Sequence, residues 1–202
     1  MSDQQQMRSV IIVLMVVALL VSGSMALFIL SDEGHENSGE QINGDFLLDS
    51  ISGPVSLQQF RGQAVLLFFG YTYCPDVCPT TMSNVADTME LLSDEEQMLV
   101  QPLFITVDPA RDTVEHLAKY VSFFHPKLMG LSGSEKQIKK AAELFSVQYF
   151  RDEWADAGKD NYYLNHTAYL FLIDPDGRVT DLMSDHTTPK DIAAALRQVI
   201  SR

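Results

Sequence analysis

The sequence predicts an α/β domain, a mixed sheet flanked by helices, behind an apolar N-terminal segment. Three observations predict it: wholly apolar runs of strand length, helix-length stretches between them with apolar residues three and four apart, and a closing pair of strand segments around a tight turn. Residues 45–49 and 55–57 read as short strands around Gly53-Pro54. Residues 64–69 (AVLLFF) form the continuous apolar run expected of a strand buried on both faces. The helix after it carries Met82, Val85, Ala86, Met89 and Leu92 on one face. Residues 103–107 give a second buried strand. Asp112-Thr113-Val114-Glu115 then offers a cap with an acid three residues on, leading into Val114, Leu117, Ala118 and Val121. Ser134 with Gln137 opens another helix, striped by Ile138, Ala141, Ala142 and Phe145. Residues 169–173 and 178–182 flank Asp174-Pro175-Asp176-Gly177, a strong hairpin signal. Thr188-Pro189 starts a last helix with Ile192, Ala195, Leu196 and Val199 on one face. A parallel β-α-β opening and an antiparallel ending closed by a helix suit a thioredoxin-like fold.

Composition bounds the function. The chain has 202 residues, of which 46% are hydrophobic and 20% charged, a globular and not a disordered balance. At about 150 residues per domain, that is one domain plus an appendage. The net charge is −13, and the first thirty residues hold only Asp3 and Arg8, so the acidity belongs to the rest. Such a surface repels phosphate backbones and argues against nucleic-acid binding, while it suits a basic partner or a cation. Two cysteines are too few for a disulfide scaffold or a four-thiolate zinc site.

Residues 10–30 carry no charge and are broken only by Ser22, Gly23 and Ser24. About 20 apolar residues cross a bilayer as a helix. Arg8 precedes the run and Asp32, Glu33 and Glu36 follow it, so the positive-inside bias leaves residues 1–9 in the cytoplasm and exports the remainder. The alternative is a cleaved signal peptide, since Ser24-Met25-Ala26 resembles a cleavage site; the apolar run through Leu30 favours an anchor. The expected layout is a single-pass anchor at 10–30, a polar linker at 31–41 and a folded domain at 42–202.

The chemistry concentrates at the cysteine pair. The string Tyr71-Thr72-Tyr73-Cys74-Pro75-Asp76-Val77-Cys78-Pro79 leaves the buried strand and enters the helix. A proline after each cysteine disfavours helical geometry at both, and Pro79 suits the first helical position, which makes Cys78 the expected N-cap. A helix N-terminus favours thiolate, the form that attacks disulfides and binds metals. Three readings follow: a structural disulfide, which so short a loop makes a weak stabiliser; a thiol–disulfide oxidoreductase; and a soft-metal site, for which paired thiolates select Cu(I) or Zn. A third ligand separates the last two. Of five histidines, His35 lies in the linker, His116 in the first turn of a helix, His125 in a loop before Pro126, and His186 between a strand and a helix cap. His166 immediately precedes the strand at 169–173, and if that strand lies beside the cysteine strand its imidazole overhangs the sulfurs. An ordinary hydrogen-bonded histidine remains the alternative. Met82, four residues past Cys78, is a soft thioether whose place in the apolar stripe assigns it to the core. Asp108, Pro109, Arg111 and Asp112 read as an ion-paired loop and helix cap, or as a partner contact. Residues 151–164, with Trp154, Tyr162 and Tyr163, form a long polar and aromatic stretch, either a functional loop or a surface hairpin.

YTYCPDVCP, VDPARDT at 107–113 and NHTAYLFLIDPDG at 165–177, in that order, resemble the Sco/SenC family of membrane-anchored copper-delivery proteins for cytochrome c oxidase assembly. The resemblance covers residues 45–200. It implies a thioredoxin-like domain facing the periplasm from the inner membrane, or the mitochondrial intermembrane space, and a metallochaperone, with thiol–disulfide oxidoreductase activity left open. It implies copper, Cu(I) and also Cu(II), held by Cys74, Cys78 and His166 and delivered to the oxidase subunit carrying the CuA centre. A Cys74–Cys78 disulfide cannot ligate copper, so a periplasmic thiol reductant is implied as a partner. The residue before the histidine is Asn165, where the family usually has Asp. Three residues separate the cysteines, and no proline lies between Asn161 and Ile173, both unlike thioredoxin-type reductants. The alternatives are a reductase that keeps the oxidase cysteines reduced and a copper or redox sensor.

Overall fold

The computed structural model describes Met15 and residues 40–41, 44–151 and 162–201. The chain divides into two units, residues 1–38 and 39–202, and the second is described below. The expected anchor at 10–30, apart from Met15, and all of the linker before Glu40 lie outside the described residues. Among the described residues no helix is long and apolar enough to cross a membrane.

In chain order the strands are β1 (Glu40–Gln41), β2 (Leu47–Ser50), β3 (Gly53–Ser56), β4 (Ala64–Gly70), β5 (Val100–Thr106), β6 (Met129–Leu131), β7 (Tyr149–Arg151), β8 (Leu164–His166), β9 (Leu170–Ile173) and β10 (Arg178–Met183). The helices are α1 (Val77–Glu90), α2 (Asp94–Met98), α3 (Val114–Ser122), α4 (Glu135–Leu144) and α5 (Pro189–Ile200), with one 3₁₀ turn at Leu57–Phe60. Six strands form the main sheet in the order β1-β10-β9-β4-β5-β6. Its β4-β5-β6 half is parallel; β9, β10 and β1 follow antiparallel. The helices flank it: α1 packs against α5, and α3 and α4 contact the β2–β3 side. Glu40 and Gln41, the last residues of the expected linker, pair with Val179 and Arg178 as an edge strand.

The central strand behaves as its composition requires. All seven residues of β4 are buried, paired with β5 from Ala64↔Val100 to Gly70↔Thr106. On its other edge β9 runs from Ile173 opposite Val65 to Leu170 opposite Phe68. An apolar side chain on either face of β4 therefore meets a covering layer, the condition under which a strand loses alternation. The hairpin after β9 turns at Gly177, whose φ of +78° is the left-handed geometry that Gly supplies.

Several boundaries move for identifiable reasons. The first strand starts at Leu47 and not at Asp45, because the Asp45 carboxylate accepts from the Leu57 N–H (2.8 Å). Leu57 leaves β3 for the 3₁₀ turn. The second buried strand starts at Val100, three residues early, to pair with β4 along its whole length. Ser134 and Gln137 form the expected reciprocal cap, and Thr188 caps α5. For α3 the cap is Thr113, which accepts from the His116 N–H, and not Asp112. The displaced Asp112 is buried: its carboxylate accepts from the Thr72 N–H (3.0 Å) and from the hydroxyls of Thr72 and Thr106 (2.5 and 2.7 Å). The short helix α2, behind a Ser93 capping box, and the three-residue β6 are too brief to show periodicity.

Met82 is fully buried in α1 with Val85 and Met89, as its place in the stripe predicts. Met82→Ala is expected to lower unfolding free energy by about 2–5 kcal/mol in urea denaturation. A loss under about 1 kcal/mol would mean that the side chain does not pack.

Candidate metal centre

The cysteine loop begins where β4 ends. Gly70 is obligatory there: a Cβ would stand 2.8 Å from Cys78 Sγ and from the Phe68 ring. Thr72 is tied to Asp112 by two hydrogen bonds, and the Cys74 N–H donates to the Tyr71 carbonyl (3.2 Å). The N-cap of α1 is Asp76, whose carbonyl accepts from the Thr80 N–H (3.3 Å). Cys78 is thus the second residue of the helix, not its cap. Pro79, at the third position, forfeits no hydrogen bond, since N–H groups of the first turn have no intrahelical acceptor. Cys74 lies half-buried in the loop, and Cys78 is buried.

The histidine arrives from the other edge of β4. β9 runs antiparallel to β4, and the residues just before it are level with the cysteine loop. His166 ends β8, which pairs with β7, Tyr149 opposite His166 and Phe150 opposite Asn165. The residues on either side of the 151–164 stretch therefore belong to a hairpin, while 152–161, with Trp154, lie outside the described residues. The His166 Nδ1–H donates to the Thr167 carbonyl (3.0 Å), which directs Nε2 at Cys78 Sγ, 3.4 Å away. Edge contacts with Phe68 (6.0 Å, 83°) and Tyr71 (5.8 Å, 86°) fix the ring plane. Cys74 Sγ, Cys78 Sγ and a His166 ring nitrogen all lie within 4.8 Å of one another. Asn165 is exposed on the next position of the strand.

Unequal burial divides the two thiols. The bond from Cys78, and to a lesser extent one from His166, pulls the Cys74 thiol down to about 4 against its desolvation. Cys78 is pushed up, because it donates to Cys74 and is itself desolvated. One proton serves two sulfurs, and the half-exposed one is the thiolate.

Around this core the VDPARDT segment supplies support. Arg111 pairs with Asp108 and lies 4.6 Å from the Tyr73 ring centre and 3.7 Å from that of Tyr162. The Tyr162 hydroxyl donates to Asp108 (2.6 Å); burial, and then this bond, push its pKa up to about 12. Tyr71 is buried, and its hydroxyl accepts from the Leu164 N–H (3.2 Å). The remaining described histidines stay away from the sulfurs. His116 is exposed, stacked on Tyr73 (5.8 Å, 20°) and 3.0 Å from the Thr72 hydroxyl. His125 is buried and accepts from the Lys127 N–H, and His186 lies exposed 3.8 Å from Asp185.

The family model of SCO1/SenC matches residues 34–201. The chain belongs to this family. The SCO2 homologue of mouse mitochondria is 40% identical over 163 residues, 78% of this chain and 62% of that protein. This chain therefore spans less than two thirds of the mouse relative. The SCO2-like protein of Rickettsia felis is 34% identical over 204 residues, 95% of this chain and 98% of its own length. Among solved structures, Bradyrhizobium japonicum ScoI with copper bound is 34% identical, with a TM-score of 0.71 over 78% of this chain and 99% of that one. The thioredoxin-like Sco fold is thus the fold of this domain.

The motifs placed Tyr71 and Arg111 at the cysteine end of the sheet and the 151–164 stretch over the metal or against a partner, but not the Arg111–Tyr162 contact or the Tyr71–Leu164 bond, which residues so far apart in sequence do not signal by spacing. The divided thiols make a prediction. Alkylation of Cys74 by iodoacetamide is expected to keep its rate down to about pH 5 and to halve near pH 4, with Cys78 unreactive in the folded chain. A rate that rises only towards pH 8 and above would mean that the two sulfurs share no proton.

Proposed function

We propose that the chain is a copper chaperone: reduced Cys74 and Cys78 take up Cu(I), His166 completes a Cys₂His set that also accepts Cu(II), and the ion passes to the CuA subunit of cytochrome c oxidase. One observation carries this reading: two free thiols and an imidazole, from segments 88 residues apart, converge within 4.8 Å. Their chemistry fits the cargo. Thiolates and an imidazole suit copper, and neither is a favoured ligand for calcium or magnesium. Copper-bound relatives of 28–34% identity and TM-score 0.71 support the assignment.

The two sulfurs take unequal parts. Cys74, half-exposed and ionised, is where a recipient's ligand meets the ion, and Cys78 with His166 forms the buried side. Transfer then proceeds by ligand exchange. Oxidation to a Cys74–Cys78 disulfide removes both thiolates, so loading needs a dithiol reductant in the same compartment. Residues 10–30 would anchor the domain in the inner membrane with its site in the periplasm, as their length and flanking charges suggest.

A second reading draws on the ionised Cys74 beside a protonated Cys78, an arrangement suited to thiol–disulfide exchange with the oxidase's own cysteines. The histidine separates the two. The reduced chain is expected to bind one copper ion, with thiolate-to-Cu(II) charge transfer in the absorption spectrum. Cys74→Ser, Cys78→Ser and His166→Ala should each abolish that band and copper transfer to the oxidase subunit. Unchanged stoichiometric binding in a cysteine variant would reject the site. Reduction of the oxidase subunit's disulfide at an unchanged rate by both His166→Ala and a copper-free preparation would favour the reductase.

A further inference from the structure

The donors come from two segments that the sheet does not hydrogen-bond to each other. The cysteine loop follows β4, whereas β8 pairs with β7 in a separate two-stranded sheet. Besides the Tyr71–Leu164 hydrogen bond and the contacts of His166 with Phe68, Tyr71 and Cys78, the Arg111 side chain spans the gap. The Arg111 guanidinium lies 4.6 Å from the ring centre of Tyr73, the neighbour of Cys74, and 3.7 Å from that of Tyr162, four residues before His166. Tyr71 stands at 5.8 Å. Arg111 is not held there by a full set of hydrogen bonds. Nε goes to Asp108, while buried Nη2 has no hydrogen-bond partner among the described residues. Asp108 in turn takes the Tyr162 hydroxyl, and the Arg151 guanidinium lies 4.2 Å from the centre of the same ring, so the ring keeps its place between two cations without the hydroxyl bond. Ring faces attract a cation more strongly when water is excluded, and the Arg111 side chain is 12% exposed. A planar, weakly hydrated guanidinium suits this contact better than an ammonium.

We infer that Arg111 is a positioning residue for the metal centre: by bridging Tyr73 of the cysteine loop and Tyr162 of the histidine segment, it holds the three donors converged and so sets the rate of copper release. The inference rests on the copper reading of the same site. Arg111 touches neither sulfur nor copper in this scheme; it acts through the two rings. Loosening the bridge lets the imidazole and the thiolates separate, and copper leaves sooner.

The test uses the purified 202-residue chain, loaded with one Cu(I), and follows transfer to excess bathocuproine disulfonate by absorbance. Arg111→Gln and Tyr162→Leu are each expected to speed transfer about tenfold, equivalent to about 1.4 kcal/mol. Tyr162→Phe, which keeps the ring and loses only the hydroxyl, should stay within about twofold. The double variant Arg111→Gln/Tyr162→Leu should be no faster than either single one, because both break one bridge. In the copper-free chain, Arg111→Gln should raise amide exchange at 71–74 and 164–167 together and leave β4 and β5 unchanged. An unaltered transfer rate in Arg111→Gln, a Tyr162→Phe as fast as Tyr162→Leu, multiplying rates in the double variant, or exchange raised throughout the sheet would each overturn the inference. If the wild-type chain takes up no copper, the copper reading fails by itself, and the exchange measurement alone decides whether the bridge exists.

Discussion

The pairing of β9 against β4, Leu170 opposite Phe68, is the constraint on which the site depends. It sets the level at which the chain before β9 passes the end of β4, and there His166 Nε2 stands 3.4 Å from Cys78 Sγ. A strand advances about 3.3 Å per residue, so a slip of one position would move the segment by roughly the whole distance between the donors. Core packing prevents that slip. All seven residues of β4 and all four of β9 are buried, and a shift by one would send every side chain to the opposite layer, into space shaped for a different residue. The hydrophobic interior thus supplies the precision with which polar ligands meet at its edge.

Electrostatics then divides labour between two like groups. Both cysteines stand near the N-terminus of α1, yet one is half-buried and the other enclosed by Gly70, Phe68 and His166. The hydrogen bond from Cys78 to Cys74 holds the charge on Cys74, and desolvation, greater at the more buried Cys78, sets the direction of that bond. Asp112, whose pKa is raised by burial, spends its carboxylate on Thr72 and Thr106 and so fastens the loop to β5. A cation entering between the sulfurs meets a site already carrying one thiolate, inside a chain with a net charge of −13.

The sequence revealed those features that depend on repetition or on a short motif. Apolar runs located β4 and β9, helical stripes located α1, α3, α4 and α5, and the resemblance carried by CPDVC and the NHTAYLFLIDPDG string pointed to the three residues that converge. Details set by tertiary contact were hidden. Cys78 was expected to cap α1, but the helix begins two residues earlier because a proline in the first turn sacrifices no bond. Asp112 was expected to serve as a cap, and burial against two threonines claims it instead. Tyr71, Arg111 and Tyr162 are brought together by strands and loops distant in sequence, which no local spacing encodes.

The central claim is that a single ion touches both sulfurs and the imidazole of residue 166. X-ray absorption at the copper edge of the loaded, reduced chain measures that directly. Two sulfur scatterers and one imidazole nitrogen are expected, with the imidazole signature lost in His166→Ala. A copper environment of sulfurs alone, or of nitrogen and oxygen alone, would contradict it.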